Sequence, residues 1–137
     1  MFTFKNISAI AFLLFGTTFM WMTASFVGKT PAPTGTLWSA VNILALAAVV
    51  AFTVTAWGVY KQTPWWETAA MVSAVVGLIT VVPYGIAING QGQLADQGVV
   101  LNIGLHVICS LIVVAVAVVP VVHDWFTSRW ALAAVMH

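Results

Sequence analysis

The sequence predicts an all-α integral membrane protein, built as an antiparallel bundle of four transmembrane helices with a short interfacial helix at the C-terminus. Hydrophobic residues make up 62% of the 137 residues and charged residues only 5%, which is too little charge to cover the surface of a water-soluble domain. Four apolar segments reach the length of about 20 residues that a helix needs to cross the hydrocarbon core. The short stretches between them are rich in proline, glycine and polar residues, as connections usually are.

The predicted spans form one membrane domain that occupies residues 1–137. They cover residues 7–27, 37–60, 68–88 and 99–122. The first is interpreted as a span rather than a secretory signal, because an apolar run of about 20 residues exceeds the usual signal core. The connections GKTPAPTG, KQTPWWE and NGQGQLADQG are all short, so we expect consecutive helices to be antiparallel neighbours.

Residues 123–137 follow the fourth span as a tail in which large apolar side chains recur at helical spacing. Phe126, Trp130 and Ala133 share one side, and polar residues such as Asp124 lie elsewhere. This pattern predicts a short helix that lies in the membrane interface. Membrane anchoring is its expected role, and docking of a partner is the alternative.

The basic residues indicate how the bundle is oriented in the membrane. Lys5, Lys61 and Arg129 fall on one side of the predicted bundle, and Lys29 falls on the other. Cytoplasmic segments of membrane proteins carry the excess of lysine and arginine. Both termini are therefore expected in the cytoplasm.

The composition argues against several function classes. A net charge of +1, with scattered basic residues, provides no basic stripe for nucleic acid. No aspartate or glutamate falls within a predicted span, which disfavours proton-coupled export of cations. Cys109 is the single cysteine, so no intrachain disulfide can form, and it is interpreted as a small apolar filler.

No cofactor, metal site or catalytic constellation is predicted. Haem ligation would need two histidines on facing helices, but His123 follows His106 along the same predicted helix. His123, Asp124 and His137 are the best candidates for metal ligands, and such interfacial or terminal groups are usually just solvated. Ser110 follows His106 by four residues, but a serine at that spacing more often bonds a carbonyl of its own helix than acts as a nucleophile. We therefore expect no enzymatic activity.

The fourth span carries a polar stripe on an otherwise apolar helix. Gly98, Asn102, His106, Cys109 and Ser110 fall within about 100 to 120 degrees of the helix surface. Asparagine or imidazole exposed to lipid tails would leave hydrogen-bonding groups unsatisfied, so the stripe should face protein. A ring buried there without a charge partner is expected to be neutral, with one donor and one acceptor.

Further polar groups share the outer half of the predicted bundle. Pro83 removes a backbone hydrogen bond inside the third span, Tyr84 lies at that point, and Thr80 precedes Tyr84 by four residues on the same helix face. Asn42 begins the second span on the same side. The candidate ligand-binding residues are His106, Asn102, Tyr84, Asn42, Thr80 and Ser110.

Alternative interpretations of this cluster stay open. In the first, the polar side chains join helices through hydrogen bonds worth about 0.6 kcal/mol each. In the second, they line an outward-opening pocket in which His106, flanked by Asn102 and Tyr84, contacts a small ligand or the head group of a lipid or quinone. In a third, the stripe faces another subunit.

The run GLHVICSLIVVAVAVVP places a histidine early in the last span, followed by a valine-rich stretch that ends in proline. In this it resembles the final helix of a family of small four-span bacterial membrane proteins with no established activity. The resemblance covers about the last half of the chain and implies the same count of four helices.

These observations favour a non-catalytic accessory or structural subunit of a larger membrane complex, located in the bacterial inner (plasma) membrane. Small-residue tracks such as ALAAVVA and AAMVSAVVG suit close packing between helices. The expected partners are the lipid bilayer and either another membrane protein or a second copy of the chain. The alternative is a binder or carrier of a small apolar ligand, a lipid or a quinone in the outward-facing pocket around His106.

Overall fold

The computed structural model describes residues 2–130, which form helices joined by short connections. The α-helices are α1 (Phe4–Thr17), α2 (Thr36–Lys61), α3 (Trp66–Gly90), α4 (Gln97–Val118) and α5 (Pro120–Ser128). Within residues 2–130, four segments are long and apolar enough to cross a membrane, namely Phe4–Met22, Thr36–Lys61, Trp66–Gly90 and Gln97–Val118. The predicted all-α membrane fold is confirmed, and α3 continues through Pro83 without ending.

The first span differs from its predicted bounds of 7–27. The α-helix ends at Thr17 and continues as a 3-10 helix over Thr18–Met22. The hydroxyls of Thr17 and Thr18 each donate to the carbonyl three residues earlier, at 2.7 and 2.6 Å. That spacing matches the tighter 3-10 winding, and threonine side chains that bond the backbone compete with the α-helical pattern. Hydropathy alone could not distinguish the two kinds of helix.

Consecutive helices pack side by side, as predicted, in the order α1, α2, α3, α4. Two glycines permit close approaches. A Cβ on Gly16 of α1 would lie 2.5 Å from the Cβ of Phe52 in α2, and a Cβ on Gly77 of α3 would lie 2.7 Å from Cζ of Phe19. Small residues let helix backbones approach each other in membranes.

The α-helices α1 and α4 barely approach each other, and an apolar groove lies between them. We call this groove the α1–α4 seam. Phe12 and Phe15 line it on the α1 side, and Cys109, Ile112 and Val113 line it on the α4 side. The bundle is therefore open along one edge.

The charged side chains lie at the two ends of the bundle. The terminal end carries the start of α1, the α2–α3 connection and α5, and the loop end carries the other two connections. Lys5 and Lys61 both lie over the Tyr60 ring, at 5.3 and 5.4 Å from its centroid. Arg129 follows α5 at the same end, whereas Lys29 lies at the loop end, in the α1–α2 connection.

The interfacial helix begins earlier than residue 123. Pro120 is the first residue of α5, and Val119 before it has extended backbone. Proline lacks an N–H and disfavours helical geometry in the residue that precedes it. α4 consequently ends at Val118 rather than at the predicted residue 122.

α5 packs across the terminal end of the bundle. Phe126 is buried there and makes edge contacts with the rings of Phe4 and Phe12 in α1. It also lies 5.7 Å from the ring of Trp66 in α3. α5 thereby joins α1 to α3. Ala133, which was expected on the same helix face, lies outside the described residues.

Candidate functional site

The structure brings His106, Asn102 and Tyr84 together near the loop end. His106 is fully buried in α4. Its Nδ1 lies 2.7 Å from the Asn102 carbonyl oxygen, and because a carbonyl only accepts, Nδ1 carries a proton. In a neutral ring Nε2 then accepts, and its partner is the Thr18 hydroxyl at 2.9 Å. The same hydroxyl donates to Phe15 at 2.6 Å, so one proton is shared between two acceptors.

Aromatic rings enclose the imidazole on the α1 side. Phe19 makes an edge contact with it at 4.5 Å between centroids, and Phe15 lies at 5.6 Å. Both rings belong to the first span, as does Thr18. His106 therefore joins α4 to the first span at a level where the two α-helices themselves barely approach.

Thr18 is a partner of His106 that the sequence did not predict. It lies within the apolar run of the first span and 88 residues from His106. No spacing rule connects residues so far apart. The nearest signal is the Gly16-Thr17-Thr18 run, because glycine and threonine are poor residues for a helix interior and so mark a weak point in the first span.

Asn102 lies one helical turn nearer the loop end than His106, and it joins α4 to α3 and to the first span. Its Nδ2 donates to the hydroxyl of Tyr84 in α3 and to the backbone carbonyl of Trp21 in the first span, both at 3.3 Å. Its Oδ1 is buried and has no hydrogen-bond partner among residues 2–130. Tyr84 is buried and accepts from Asn102, and no acceptor for the Tyr84 proton is found in the same part of the chain.

These two side chains form part of a depression that is open at the loop end, which we call the loop-end pocket. Its volume is about 470 Å³. It is lined by Trp21, Phe26, Tyr84, Asp96, Gly98, Val99 and Asn102. His106 does not line this pocket and lies one helical turn deeper. A ligand in the pocket would therefore lack the direct contact with the imidazole that the sequence predicts.

Ser110 and Thr80 lie deeper in the bundle than this pocket, and both are fully buried. Thr80 donates to the Val76 carbonyl of its own helix at 2.7 Å. Ser110 departs from the expected pattern, because its Oγ has no hydrogen-bond partner within the described chain. A Cβ on Gly77 would lie 3.0 Å from that oxygen, so the small side chain of Ser110 permits the approach of α3 and α4.

Asn42 forms its hydrogen bond with the backbone rather than with another candidate side chain. Its Oδ1 accepts from the backbone N–H of Ala24 at 3.0 Å. This contact joins α2 to the short 3-10 helix Ala24–Phe26. Asn42 therefore holds the connection after the first span.

A separate polar group lies at the terminal end. The Nε2 of His123 in α5 lies 2.7 Å from Oε1 of Glu67 in α3, and the His123 ring stacks on Trp66 at 5.8 Å. The hydrogen bond to Glu67 raises the pKa of His123 above its ordinary value, with a smaller contribution from Asp124, whereas burial acts in the opposite direction. Residues 2–130 hold no group of three metal-ligating side chains, and His137 lies outside that range.

Comparison with protein-family models, with curated proteins and with solved structures finds no match to this chain.

Proposed function

We propose that this protein is a non-catalytic membrane subunit that binds another membrane protein along the α1–α4 seam. The observation that carries the proposal is the open edge of the bundle. α1 and α4 barely approach each other, and the groove between them has a volume of about 230 Å³. Ser8 also lines the groove, but its hydroxyl donates to the Phe4 carbonyl of its own helix at 2.8 Å.

The form of the seam suits a transmembrane helix of a partner. Helices in lipid associate through van der Waals packing, because lipid tails are as apolar as the side chains they would replace. A groove with two walls offers a helix more such contacts than a convex surface does. Ile108 and Ile112 of α4 continue the wall outward, with 60% and 55% of their surface exposed.

The use of polar groups within the spans also supports a role in packing. His106 bonds Thr18 and the Asn102 backbone, and Thr55 Oγ1 of α2 lies 2.8 Å from Ser73 Oγ of α3. Each of these contacts joins two parts of the same chain. Such bonds fix helix positions, and a subunit that presents a fixed surface to a partner needs them.

The proposed location is the bacterial inner membrane, with the terminal end in the cytoplasm. Lys5, Lys61 and Arg129 at the terminal end, against Lys29 at the loop end, support this orientation through the cytoplasmic bias of basic residues. Membership of the family of small four-span bacterial proteins that the last span resembles stays a prediction.

A photo-reactive phenylalanine analogue at Ile112 tests the seam in native membranes. We expect a protein adduct of one discrete mass, and we expect the partner identified from it to copurify with the unmodified chain in mild detergent. The matched control carries the same analogue at Val82, which is 62% exposed on α3 and outside the seam. Lipid adducts alone at both positions would contradict the proposal.

A second candidate function is binding of a small amphiphilic ligand in the loop-end pocket. The specific observation that favours it is the buried Oδ1 of Asn102, which lacks a donor within residues 2–130. Tyr84 offers a hydroxyl proton beside it, and Trp21 and Phe26 supply apolar walls. Buried polar groups without partners are rare in native structures, and a guest that donates to Asn102 and accepts from Tyr84 would satisfy both.

Native mass spectrometry of the protein purified in mild detergent tests this candidate. A ligand of the pocket would appear as a retained small molecule that Asn102→Leu or Tyr84→Phe releases. Asn89→Ala is the matched control, because Asn89 is exposed at the loop end of α3 and does not line the pocket. Retention of the same molecule by both pocket variants would exclude this site.

A further inference from the structure

The α1–α2 groove is a second open surface, and it lies at the terminal end. It has a volume of about 410 Å³ and is lined by Asn6, Ala9, Ile10, Leu13, Thr53 and Trp57, among others. α1 and α2 are in close contact at Gly16 and Phe52, and the groove lies between that contact and the terminal end. From Thr53 to Tyr60 it runs along about 10 Å of α2.

Two cationic side chains stand at the mouth of this groove. Lys5 of α1 and Lys61 of α2 both lie over the ring of Tyr60, which itself lines the groove. Lys61 also lies 5.0 Å from the ring centroid of Trp57. Because both ammonium groups are within 5.4 Å of one ring centroid, they lie within about 11 Å of each other.

Neither lysine has a carboxylate partner in the part of the chain that the structure describes. The ion pairs found there involve His123, with Glu67 and Asp124. Each ammonium group has three hydrogen-bond donors. A cation–π contact attracts the charge of the ammonium group but does not provide a conventional hydrogen-bond acceptor for these donors. Two like charges within about 11 Å of each other, without an acid between them, favour an anion at that point.

We infer that the α1–α2 groove binds one anionic phospholipid, with an acyl chain along the groove and its phosphate between Lys5 and Lys61. The apolar walls match the acyl chain, and basic residues beside membrane helices attract anionic head groups. A zwitterionic lipid fits less well, because its own cation would lie near two ammonium groups. The commitment to a lipid, rather than to free phosphate, follows from the apolar groove that continues from the two lysines toward the membrane interior.

Native mass spectrometry in mild detergent, with phosphatidylglycerol and phosphatidylcholine of identical acyl chains, tests the inference. The wild-type protein is expected to bind one phosphatidylglycerol more tightly than phosphatidylcholine. Each lysine near a membrane contributes about fivefold to such binding. We therefore expect Lys5→Gln and Lys61→Gln each to weaken phosphatidylglycerol binding by about fivefold, and the double variant by roughly 25-fold.

Two single variants serve as matched controls, because each also removes one positive charge. Arg129→Gln removes it at the terminal end outside the groove, and Lys29→Gln removes it at the loop end. Both should retain wild-type binding, and Lys61→Arg should restore most of what Lys61→Gln loses. Thermal unfolding of each variant in the same detergent confirms that it is folded.

If Arg129→Gln weakened phosphatidylglycerol binding as much as Lys61→Gln does, the effect would depend on the overall charge of the protein and not on the groove. That result would overturn the inference. Unchanged phosphatidylglycerol binding in the double variant would overturn it as well. Free inorganic phosphate at millimolar concentration should not displace the lipid, and displacement would show that the groove contributes nothing. If the double variant does not fold, the two single variants and Lys61→Arg decide the question.

Discussion

The Nε2 of His106 lies 2.9 Å from the hydroxyl of Thr18, and this contact joins α4 to the first span where the two α-helices barely approach. The contact explains why an ionisable ring is found in an otherwise apolar helix. The ring fills space beside Phe15 and Phe19 and carries the hydrogen bonds across the gap. We therefore expect its role to be structural.

Replacement of His106 by alanine should destabilise the protein severely. The variant loses a fully buried ring and leaves Thr18 with one acceptor fewer, for which we expect a cost of about 3 kcal/mol in the free energy of unfolding. Unfolding by sodium dodecyl sulfate in mixed micelles measures this cost. Leu105→Ala, at an exposed position of the same helix, is the control and should have a much smaller effect.

A double-mutant cycle with Thr18→Val isolates the hydrogen bond from the packing. Thr18→Val removes the hydroxyl and keeps the shape, so it should cost about 1 kcal/mol alone and little in the His106→Ala background. Strictly additive costs would show that the two side chains do not interact, which contradicts the observed contact.

Gly77→Ala should disrupt the packing of α3 against α4 and the first span. The new methyl group would lie 2.7 Å from Phe19 Cζ and 3.0 Å from Ser110 Oγ, and overpacking of this kind costs about 1–3 kcal/mol. Gly85→Ala on the same helix meets nothing within 4 Å and should be neutral or slightly stabilising, because alanine is the better helix former. Similar stabilities for the two variants would refute the close approach at Gly77.

The contact between α5 and α3 should weaken as the pH rises. Hydrogen bonding to Glu67 raises the pKa of His123 in the folded protein. The stabilisation is therefore complete below the ordinary histidine pKa of about 6.5 and is lost as the pH rises through the higher folded-state value. Thermal unfolding between about pH 5.5 and 9 should show this loss in the wild-type protein.

Glu67→Gln removes the acid that raises the His123 pKa, so its melting temperature should change less over the same pH range. Asp124→Asn removes only the longer contact of 3.3 Å and should retain most of the wild-type pH dependence. A wild-type pH profile that Glu67→Gln does not alter would mean that the ion pair does not hold α5.

Phe126→Ala should release α5 from the bundle. The ring is buried against Phe4, Phe12 and Trp66, and its removal should cost about 3 kcal/mol. Val121 of the same helix is 80% exposed, so Val121→Ala should change stability by less than about 0.5 kcal/mol. Limited proteolysis after Phe126→Ala should cut at the α4–α5 junction, which stays protected in the control.

The spans and their order were accessible from the sequence, because both depend on local properties. A helix must satisfy its backbone hydrogen bonds within lipid, so an apolar run of sufficient length predicts a span without knowledge of its neighbours. The burial of His106, Ser110 and Tyr84 was likewise predictable, since a polar group that faces lipid has no partner. Pro120 was visible as a helix breaker, although the predicted fourth span extended past it.

Only the tertiary structure decided which groups meet. The contact of His106 with Thr18, the contact of Asn42 with Ala24 and the open α1–α4 seam all depend on how the helices are arranged around the bundle. Most faces of these helices are apolar, so hydropathy indicates which segments lie in the membrane but not which helices are neighbours. The sequence by itself predicted four segments that are long and apolar enough to span a membrane, and residues 2–130 contain four such helices. Packing of small and aromatic side chains determined which edge stays open, because close approach between helices depends on shape rather than on polarity.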